Sequence, residues 1–252
     1  MHRKLLLVDV LQCAQCGLMF RYPKNSVAEN RAYYQQQYDS FEQGIVTTLP
    51  APDEARAMAG RGFAGTPWHS PQHVAILQKV KPVGRMLDYG CSWGYFIVQA
   101  RQAGYEASGF EISRSRAQFG RSVLQVECSD DPAMLATRVP ESLDIVYTSH
   151  VLEHLPDLRT IFAYFARSLK PDGVLLIFVP NCGGSNAKAL GPRWGPFVNE
   201  AHTISFDASF FERNLPEHGF SVTCTSDPYD GFLSRGALHT TGDELMFLAR
   251  KR

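Results

Sequence analysis

Residues 90–94, Gly-Cys-Ser-Trp-Gly, place a serine between two glycines in the pattern G-x-S-x-G. In α/β-hydrolases this pattern carries a nucleophilic serine on a sharp turn between a strand and a helix. A glycine-rich turn at the same place also lets a nucleotide cofactor approach the backbone closely. The motif by itself therefore indicates either acyl transfer by Ser92 or a cofactor-binding loop.

Two carboxylates near this motif favour the cofactor loop. Asp88 comes two residues before Gly90, and Glu111 ends the next predicted strand. In dinucleotide-binding folds an acid about 20 residues past the glycines accepts the ribose hydroxyls. Taken alone, Glu111 is also consistent with a solvated residue at a strand end, but its spacing from the loop favours contact with a ribose.

The serine-hydrolase interpretation needs features that the sequence does not show. A nucleophile elbow follows several strands and uses an oxyanion-hole donor from an earlier loop. Residues 1–84 contain little strand pattern and no segment like His-Gly-Gly-Gly. The hydrolase remains an alternative, with His239 and either Asp207 or Asp227 as the partners of Ser92.

The elements that position these residues alternate between strands and helices. The apolar run 174–179 is typical of a strand buried on both faces of a parallel sheet. The alternation predicts an α/β fold with a doubly wound sheet and right-handed crossovers. Strands are predicted at 86–89, 106–111, 124–128, 144–148, 174–179, 220–225 and 243–249. Helices are predicted at 74–77, 95–103, 113–122, 158–169 and 207–218.

Two segments fall outside this alternation. Residues 1–70 are predicted to form a small irregular extension ahead of a domain over 71–252, with a loop at 44–72 because prolines and glycines recur there. A second, polar loop is predicted over 181–205. Loops of this length in a compact domain often serve as lids or binding loops.

Four stretches together resemble a known family: LDYGCSWGYF, GYEASGFEIS, LDIVYTSHVLEHL and LKPDGVLLIFVPN. They are similar to class I S-adenosylmethionine-dependent methyltransferases, in the small-molecule branch that carries the VLEHL element. The resemblance covers about residues 70–252. It implies a seven-stranded, mostly parallel sheet whose last strand is antiparallel, and S-adenosylmethionine as cofactor with S-adenosylhomocysteine as product.

The resemblance also implies a cofactor site. Glu111 would bind the ribose, with Ile112 packed on the adenine and Ser129 and Asp130 at its edge; Ser149 would lie beneath the sulfonium. This sequence has Ser92 where the family commonly has a third glycine. The loop residues expected at the methionine end are Asp88, Gly90, Cys91, Ser92 and Gly94.

On the acceptor side, transfer of a methyl group to a hydroxyl needs a base, which histidine can provide near neutral pH. The resemblance points to His150, after the fourth strand, or to His202, in the loop after the fifth, and both remain open. His154 is expected to contact the acceptor or to support a loop carbonyl. Glu153 and His154 together offer two ligands for a divalent metal, as in some related methyltransferases of quinone pathways, but two ligands are weak evidence for a site and no metal is expected. The other expected acceptor residues are Trp194, Asn199 and Glu200.

The segment that carries these residues, PNCGGSNAKALGPRWGPFVNEAHTISF, resembles methyltransferases of sugar, polysaccharide and secondary-metabolite pathways. The expected reaction is methylation of a hydroxyl or amine on a small molecule of that kind. Trp194 is interpreted as a wall of the acceptor pocket, with an apolar plug that pins the loop as the alternative. A non-catalytic cofactor-binding protein is the third function considered.

Near the amino terminus, Cys13 and Cys16 form C-x2-C-G, which resembles the second half of a zinc ribbon. A structural zinc site needs four ligands, and apart from His2 no further ligand is apparent, so a knuckle without zinc is expected. Leu18, Met19 and Phe20 are expected to pack on the main domain. Tyr33, Tyr34 and Tyr38 are expected either to cap the cofactor or to form a partly buried helix face.

Composition limits the classes of partner. The chain has 252 residues, a formal net charge of +0 and a pI near 7.1. A neutral chain has no basic field to collect nucleic acid or anionic membrane, so a small-molecule acceptor is expected instead. The apolar start is interrupted by Asp9 and has no small-residue cleavage site, and the six cysteines are scattered. These features predict a cytoplasmic protein without a signal peptide.

Overall fold

A computed structural model describes residues 9–23, 26–36, 48–199 and 201–252. Its strands form two sheets. The strands are β1 Asp9–Gln12, β2 Met19–Tyr22, β3 Arg85–Tyr89, β4 Glu106–Phe110, β5 Cys128–Ser129, β6 Leu143–Ser149, β7 Leu169–Pro180, β8 Ile204–Ser205, β9 Phe220–Ser226 and β10 Glu244–Lys251. The predicted alternation of strands and helices over the second half of the chain is confirmed.

The larger sheet has seven strands in the order β5-β4-β3-β6-β7-β10-β9. Strand β3 pairs in parallel with β4 and with β6, and β4 pairs in parallel with β5. Strands β9 and β10 are antiparallel to each other. The predicted α/β fold, a mostly parallel seven-stranded sheet that ends in an antiparallel strand, is therefore confirmed.

The helices lie between these strands. Helix α7, predicted over 158–169, shows how the sequence specifies them, since apolar residues at helical spacing place Phe162 and Phe165 in the core. The helices are α1 Val27–Gln36, α2 Pro52–Gly60, α3 Pro71–Val80, α4 Tyr95–Gln102, α5 Arg114–Phe119, α6 Ala133–Thr137, α7 Leu158–Ser168, α8 Ser185–Leu190, α9 Gly195–Val198, α10 Ala208–Asn214 and α11 Asp230–Ser234.

Three local predictions were wrong. The third strand is only Cys128–Ser129, because a π-helical turn over Gly120–Leu124 and a left-handed Gln125 occupy the residues before it. The predicted loop at 44–72 contains α2, whose first turn begins with Pro52, a residue well suited to that position. The predicted loop at 181–205 contains α8, α9 and β8.

Contacts within the chain divide the described residues into two compact units. The loop unit comprises Arg31–Thr148 and Arg167–Val174, and it contains residues 88–94 and Glu111. The histidine unit comprises the described residues up to Asn30 together with Ser149–Ala166 and Leu175–Arg252. Each unit is described by itself below.

Within the histidine unit, the amino-terminal hairpin joins the smaller sheet, in the order β1-β2-β8. Phe20 pairs with Ile204, and the Arg21 amide donates to the Thr203 carbonyl at 3.1 Å. The hairpin thus fixes the backbone that immediately follows His202. Among the described residues, no helix has both the length and the apolar character needed to cross a membrane.

Candidate active site

The loop after β3 has a tightly folded backbone. Gly90, Ser92 and Gly94 have φ values of 85°, 50° and 84°, all in the left-handed region. Glycine adopts this region freely, whereas serine does so at a cost. The amides of Gly90 and Cys91 both donate to the Phe110 carbonyl, at 2.7 and 3.1 Å, and so fasten the loop to the end of β4.

Glu111 completes this arrangement with its side chain. Its Oε2 accepts a hydrogen bond from the Ser92 amide at 2.8 Å, and its Oε1 accepts one from the Ser113 amide at 2.8 Å. The carboxylate is buried. Each carboxylate oxygen can accept two hydrogen bonds, so these acceptors fit the two donor hydroxyls of a ribose while the loop contact is kept.

Asp88 lies in β3, close to the loop, and is also buried. Burial raises the pKa of this carboxyl well above its ordinary value, and the negative charge of Glu111 raises it further. A buried acid with a raised pKa favours its neutral form until a cation arrives. The ammonium and sulfonium of S-adenosylmethionine are cations of that kind, so the chemistry of Asp88 also fits this cofactor.

The other predicted cofactor residues lie in the same unit, apart from Ser149, which ends β6 and belongs to the histidine unit. Gln35 on α1 donates to the Ile112 carbonyl. The Ser129 carbonyl accepts from the Glu111 amide at 2.9 Å, and Asp130 pairs with Arg121 at 3.5 Å.

Helix α1 thus contacts the segment expected to bind adenine. Tyr33 and Tyr34 of this helix pack edge to face, with ring centroids 5.3 Å apart. Tyr34 is buried. Tyr38, which was grouped with them, lies outside the described residues.

The residues proposed for a hydrolase triad have other partners. Ser92 Oγ accepts from Arg116 Nη1 at 3.0 Å. His239 Nδ1 is hydrogen-bonded to Ser226 Oγ at 2.9 Å. Asp207 caps α10 by accepting from the Phe210 amide, and Asp227 accepts from the Glu244 amide at 2.6 Å. This geometry gives no support to Ser92 as a nucleophile.

In the histidine unit, His150 follows β6 with a φ of 53°. Its Nε2 lies 2.6 Å from Glu244 Oε2, and its Nδ1 lies 3.4 Å from Glu153 Oε1. Tyr229 Oη donates to the other oxygen of Glu244. An imidazole can donate from both nitrogens only when it is protonated, so this geometry favours the imidazolium form of His150.

The pKa of His150 agrees with that geometry. Burial alone would lower it, but the hydrogen bonds and negative charges of Glu153 and Glu244 outweigh burial and raise the pKa to about 10. At neutral pH, His150 therefore carries a proton and is not in the form that accepts one.

Glu153 is the buried centre of the cluster, with 1% of its side chain exposed. Its Oε1 lies 3.4 Å from His150 Nδ1, a long contact, and neither carboxylate oxygen accepts a close hydrogen bond from the described residues. Burial would raise its pKa, but the neighbouring histidines, His150 first among them, outweigh that effect and lower it. Glu153 is thus an anionic side chain inside the protein whose charge is balanced by imidazole groups.

His154 and His202 complete the cluster, with ring centroids 4.7 Å apart. His154 Nδ1 lies 2.9 Å from the Ala201 carbonyl, so this nitrogen carries the proton and Nε2 faces Glu153 at 3.9 Å. His202 Nδ1 is buried and has no hydrogen-bond partner in the described part of the chain. Burial, followed by the nearby His154, lowers the pKa of His202 to about 4, so this imidazole is neutral near pH 7.

Glu153, His154 and His202 also offer three potential metal ligands. One ligand atom from each lies within 4.8 Å of the others. Two imidazoles and a carboxylate are ligands that several divalent transition metals accept. Among the described residues, no comparable group of three forms around Cys13 and Cys16. His2, named as a further zinc ligand, lies outside those residues.

The loop that carries His202 is ordered by its own contacts. Trp194 is buried, and its ring lies edge-on to Phe197, with centroids 5.0 Å apart. Asn199 Oδ1 accepts from the Ala201 amide at 3.0 Å, and the Asn199 carbonyl accepts from the His202 amide at 3.1 Å. Burial of Trp194 is what an apolar plug requires. Glu200, predicted to contact the acceptor, lies outside the described residues.

Sequence reasoning missed Glu244 and Tyr229, because they lie far along the chain from the motifs. Glu244 is 94 residues from its partner His150. One signal was available, since the last predicted strand, 243–249, begins with two acids, Asp243 and Glu244, ahead of its apolar residues. That signal identifies an acid at a strand end and does not identify its partner.

Comparison with known proteins identifies the family. A model of the methyltransferase domain matches residues 72–225. The chain belongs to this family. The resemblance to class I S-adenosylmethionine-dependent methyltransferases and the assignment as an enzyme are confirmed, and the serine-hydrolase alternative is overturned.

Two curated relatives of this methyltransferase match over shorter stretches. Polyketide synthase ThaQ of Burkholderia thailandensis is 25% identical over an alignment of 168 residues, and the match covers 57% of this chain and 8% of the relative. Ubiquinone biosynthesis O-methyltransferase of Ralstonia nicotianae is 28% identical over 112 residues, 41% of this chain and 47% of the relative. The chain therefore spans less than half the length of either relative.

A solved structure matches over more of the chain. Geranyl diphosphate C-methyltransferase from Streptomyces coelicolor A3(2) aligns with a TM-score of 0.60, over 90% of this chain and 99% of that chain. The two sequences are 15% identical. At that identity the likeness shows the fold alone.

Proposed function

We propose that this methyltransferase transfers the methyl group of S-adenosylmethionine to a hydroxyl or amine of a small molecule, such as a sugar-containing or secondary-metabolite intermediate. The observation that carries the proposal is the pairing of Glu111 with the loop amide of Ser92 at the ends of neighbouring strands. Ligands of open α/β sheets bind at such strand ends. The catalytic domain is proposed to be residues 71–252, with 1–70 as an extension.

The bound cofactor would supply a methyl group on a sulfonium, ready for in-line displacement. The chain's own residues would bind and orient it: Glu111 accepts the ribose hydroxyls, and Asp88 balances the charge of the methionine end. Positioning supplies much of the rate in such reactions. The remaining residues proposed for the cofactor are Gly90, Cys91, Ser92, Gly94, Ile112, Ser129, Asp130 and Ser149.

For a hydroxyl acceptor, we propose His202 as the base rather than His150. His150 has both ring nitrogens directed at carboxylates, so it lacks a lone pair for an incoming proton. His202 is neutral, and its buried Nδ1 lacks a partner among the described residues. The Glu153 carboxylate, within 4.8 Å, would stabilise the imidazolium formed when His202 takes the proton, as the acid of a catalytic triad does.

The acceptor side is proposed to include His154, Trp194, Asn199 and Glu200. The relatives support a small acceptor, since they include an O-methyltransferase of ubiquinone biosynthesis and a polyketide synthase. The near-neutral charge of this chain favours such acceptors over nucleic acid. All six cysteines are free thiols, which supports a cytoplasmic location.

Binding of a divalent cation is a second candidate role for the histidine cluster. The observation in its favour is the buried Glu153 carboxylate, which accepts no close hydrogen bond from the described residues. A cation bound by Glu153, His154 and His202 would orient the acceptor oxygen and lower its pKa. His202 would then act as a ligand and not as the base.

The experiment combines binding and turnover. Titration calorimetry with S-adenosylhomocysteine tests the cofactor, and a screen of hydroxyl and amine acceptors with radiolabelled S-adenosylmethionine tests methyl transfer. We expect binding together with label transfer to a small acceptor. Binding without transfer to any acceptor would favour the non-catalytic function, and no binding would refute the proposal. Loss of transfer on chelation, restored by added divalent metal, would select the cation role.

A further inference from the structure

Trp93, the fourth residue of the cofactor loop, has a side chain that is completely buried in the loop unit. Its neighbours Ser92 and Gly94 both have left-handed backbones. A strained backbone persists only where its surroundings determine it. Because Trp93 is the largest side chain in the loop, the packing around its ring is a main constraint on the loop's shape.

Tyr95 and Phe119, inside the family match, pack on that ring, and the buried residues around it come from a segment that precedes the match, which begins at residue 72. Four residues of this segment are buried in one cluster with Trp93: Ala55, Met58, Phe63 and Trp68. We call these four residues the Trp93 socket. The Phe63 ring lies 5.6 Å from the Trp93 ring at an interplanar angle of 67°. The Trp68 ring lies 5.4 Å away at 80°. Both are edge-to-face contacts, which aromatic pairs prefer.

Hydrogen bonds tie the socket to α4, the helix that begins directly after the loop. Gln99 Nε2 donates to the Trp68 carbonyl at 2.9 Å, and Gln99 Oε1 accepts from the Ser70 amide at 2.9 Å. Gln102 Nε2 donates to the Ala59 carbonyl at 3.0 Å. Hydrogen bonds, in addition to packing, therefore hold the socket segment to helix α4.

On its other side the loop has little space to move. A Cβ added at Gly120 would lie 2.8 Å from the Trp93 carbonyl oxygen, and one added at Gly94 would lie 2.6 Å from Val126 Cγ2. Trp93 is thus confined between the socket and the π-helical turn. The indole nitrogens of Trp68 and Trp93 are buried without an acceptor among the described residues, so these rings contribute through shape and contact area.

We infer that the Trp93 socket belongs to the cofactor site, with Phe63 and Trp68 as positioning residues. They hold Trp93 and thereby fix the backbone of residues 90–94, including the Ser92 amide that bonds to Glu111. This inference rests on the proposed function, because it assumes that the loop binds S-adenosylmethionine. It assigns a role in the reaction to a segment outside the matched methyltransferase domain.

The test measures the Kd for S-adenosylhomocysteine by calorimetry, at a temperature at which circular dichroism shows each variant to be folded. Trp68→Ala removes one wall of the socket, Phe63→Leu is a milder change, and Trp68→Phe keeps an aromatic ring. Phe162→Ala is the matched control, because Phe162 is a buried ring that packs on Phe211 and His218 in the histidine unit. A residue that only stabilises the fold would not change the Kd of folded protein.

We expect Trp68→Ala to raise the Kd at least tenfold and Phe63→Leu at least threefold, while Trp68→Phe and Phe162→Ala stay within twofold of wild type. If Trp68→Ala does not fold, Phe63→Leu decides. A Kd within twofold of wild type in folded Trp68→Ala and Phe63→Leu would overturn the inference, as would an equal rise in Phe162→Ala. Failure of the wild type to bind would refute the proposed function itself, which is a different result.

Discussion

The cofactor loop and the histidine cluster are built in opposite ways. Loop residues 88–94 and Glu111 lie within 24 positions of one another, and backbone hydrogen bonds between neighbouring strands assemble them. The cluster joins residues 150–154 to His202, Tyr229 and Glu244, which come from separate elements. A short, contiguous motif with fixed backbone geometry can be recognised from sequence, whereas a cluster assembled by tertiary structure is seen only in the fold.

The electrostatics of the two regions also differ. In the loop unit, Asp88 and Glu111 are buried acids close enough for one to raise the pKa of the other. In the histidine unit, imidazoles surround Glu153 and lower its pKa. The first arrangement favours a cationic ligand, and the second already contains a cation of its own, the His150 imidazolium. If the two regions divide the work in the same way, variants of the loop unit should change cofactor binding and variants of the histidine unit should change the chemical step.

The largest effect is expected from His202→Gln. Removing a general base lowers turnover by about 10²- to 10⁴-fold, while the Kd for S-adenosylhomocysteine should stay within about twofold, because no proposed cofactor contact is lost. Steady-state kinetics and calorimetry measure the two quantities. His239→Gln is the control, since His239 bonds to Ser226 outside the cluster. Unchanged turnover in His202→Gln would show that His202 is not the base.

The pH profile of the wild type sharpens this comparison. With His202 as the base, and its pKa lowered to about 4, kcat/KM should have reached its plateau by neutral pH. With His150 as the base, and its pKa raised to about 10, the rate would still rise between pH 8 and 10. A rise that disappears in His150→Gln would assign the base to His150.

A smaller effect, on cofactor binding and not on the chemical step, is expected from Glu111→Gln. Losing a charged acceptor of hydrogen bonds costs about 1.5–3 kcal/mol, so the Kd for S-adenosylhomocysteine should rise by about 10- to 100-fold. Glu106→Gln is a matched control at the start of β4, the strand that Glu111 directly follows, since the Glu106 side chain is 72% exposed and pairs with Arg85 on the surface. Equal affinities for the two variants would show that Glu111 does not bind the ribose.

The sequence allowed prediction of the fold and the loop for identifiable reasons. Apolar runs such as 174–179 specify buried strands, and the loop glycines are recognisable because left-handed backbone favours them. Helix α2 was missed, because the prolines and glycines around it are typical of a loop. The pairing of Phe20 with Ile204 could not be foreseen, since nothing local encodes a contact between strands so far apart. For the same reason Glu244 was not recognised as a partner of His150.

The smallest effect concerns the stability of the cluster. His150 has a raised folded-state pKa, so its contribution to folding is fully present below its ordinary pKa of about 6.5. That contribution is lost as pH rises towards about 10. The His150 side chain is 51% exposed, so solvent screens its ion pair with Glu244. We therefore expect the free energy of unfolding to fall by on the order of 1 kcal/mol over this pH range.

Urea unfolding at pH 6.5, 8 and 9.5 measures this loss. His150→Gln and Glu244→Gln should each flatten the decline over that range, because either change removes the imidazolium–carboxylate pair. Turnover in Glu244→Gln should fall much less than in His202→Gln, since Glu244 bonds to His150 and Tyr229 and not to the proposed base. An equally steep decline in all three proteins would mean that His150 is not held as an imidazolium. His150 would then have a lone pair available, and the argument that prefers His202 as the base would no longer hold.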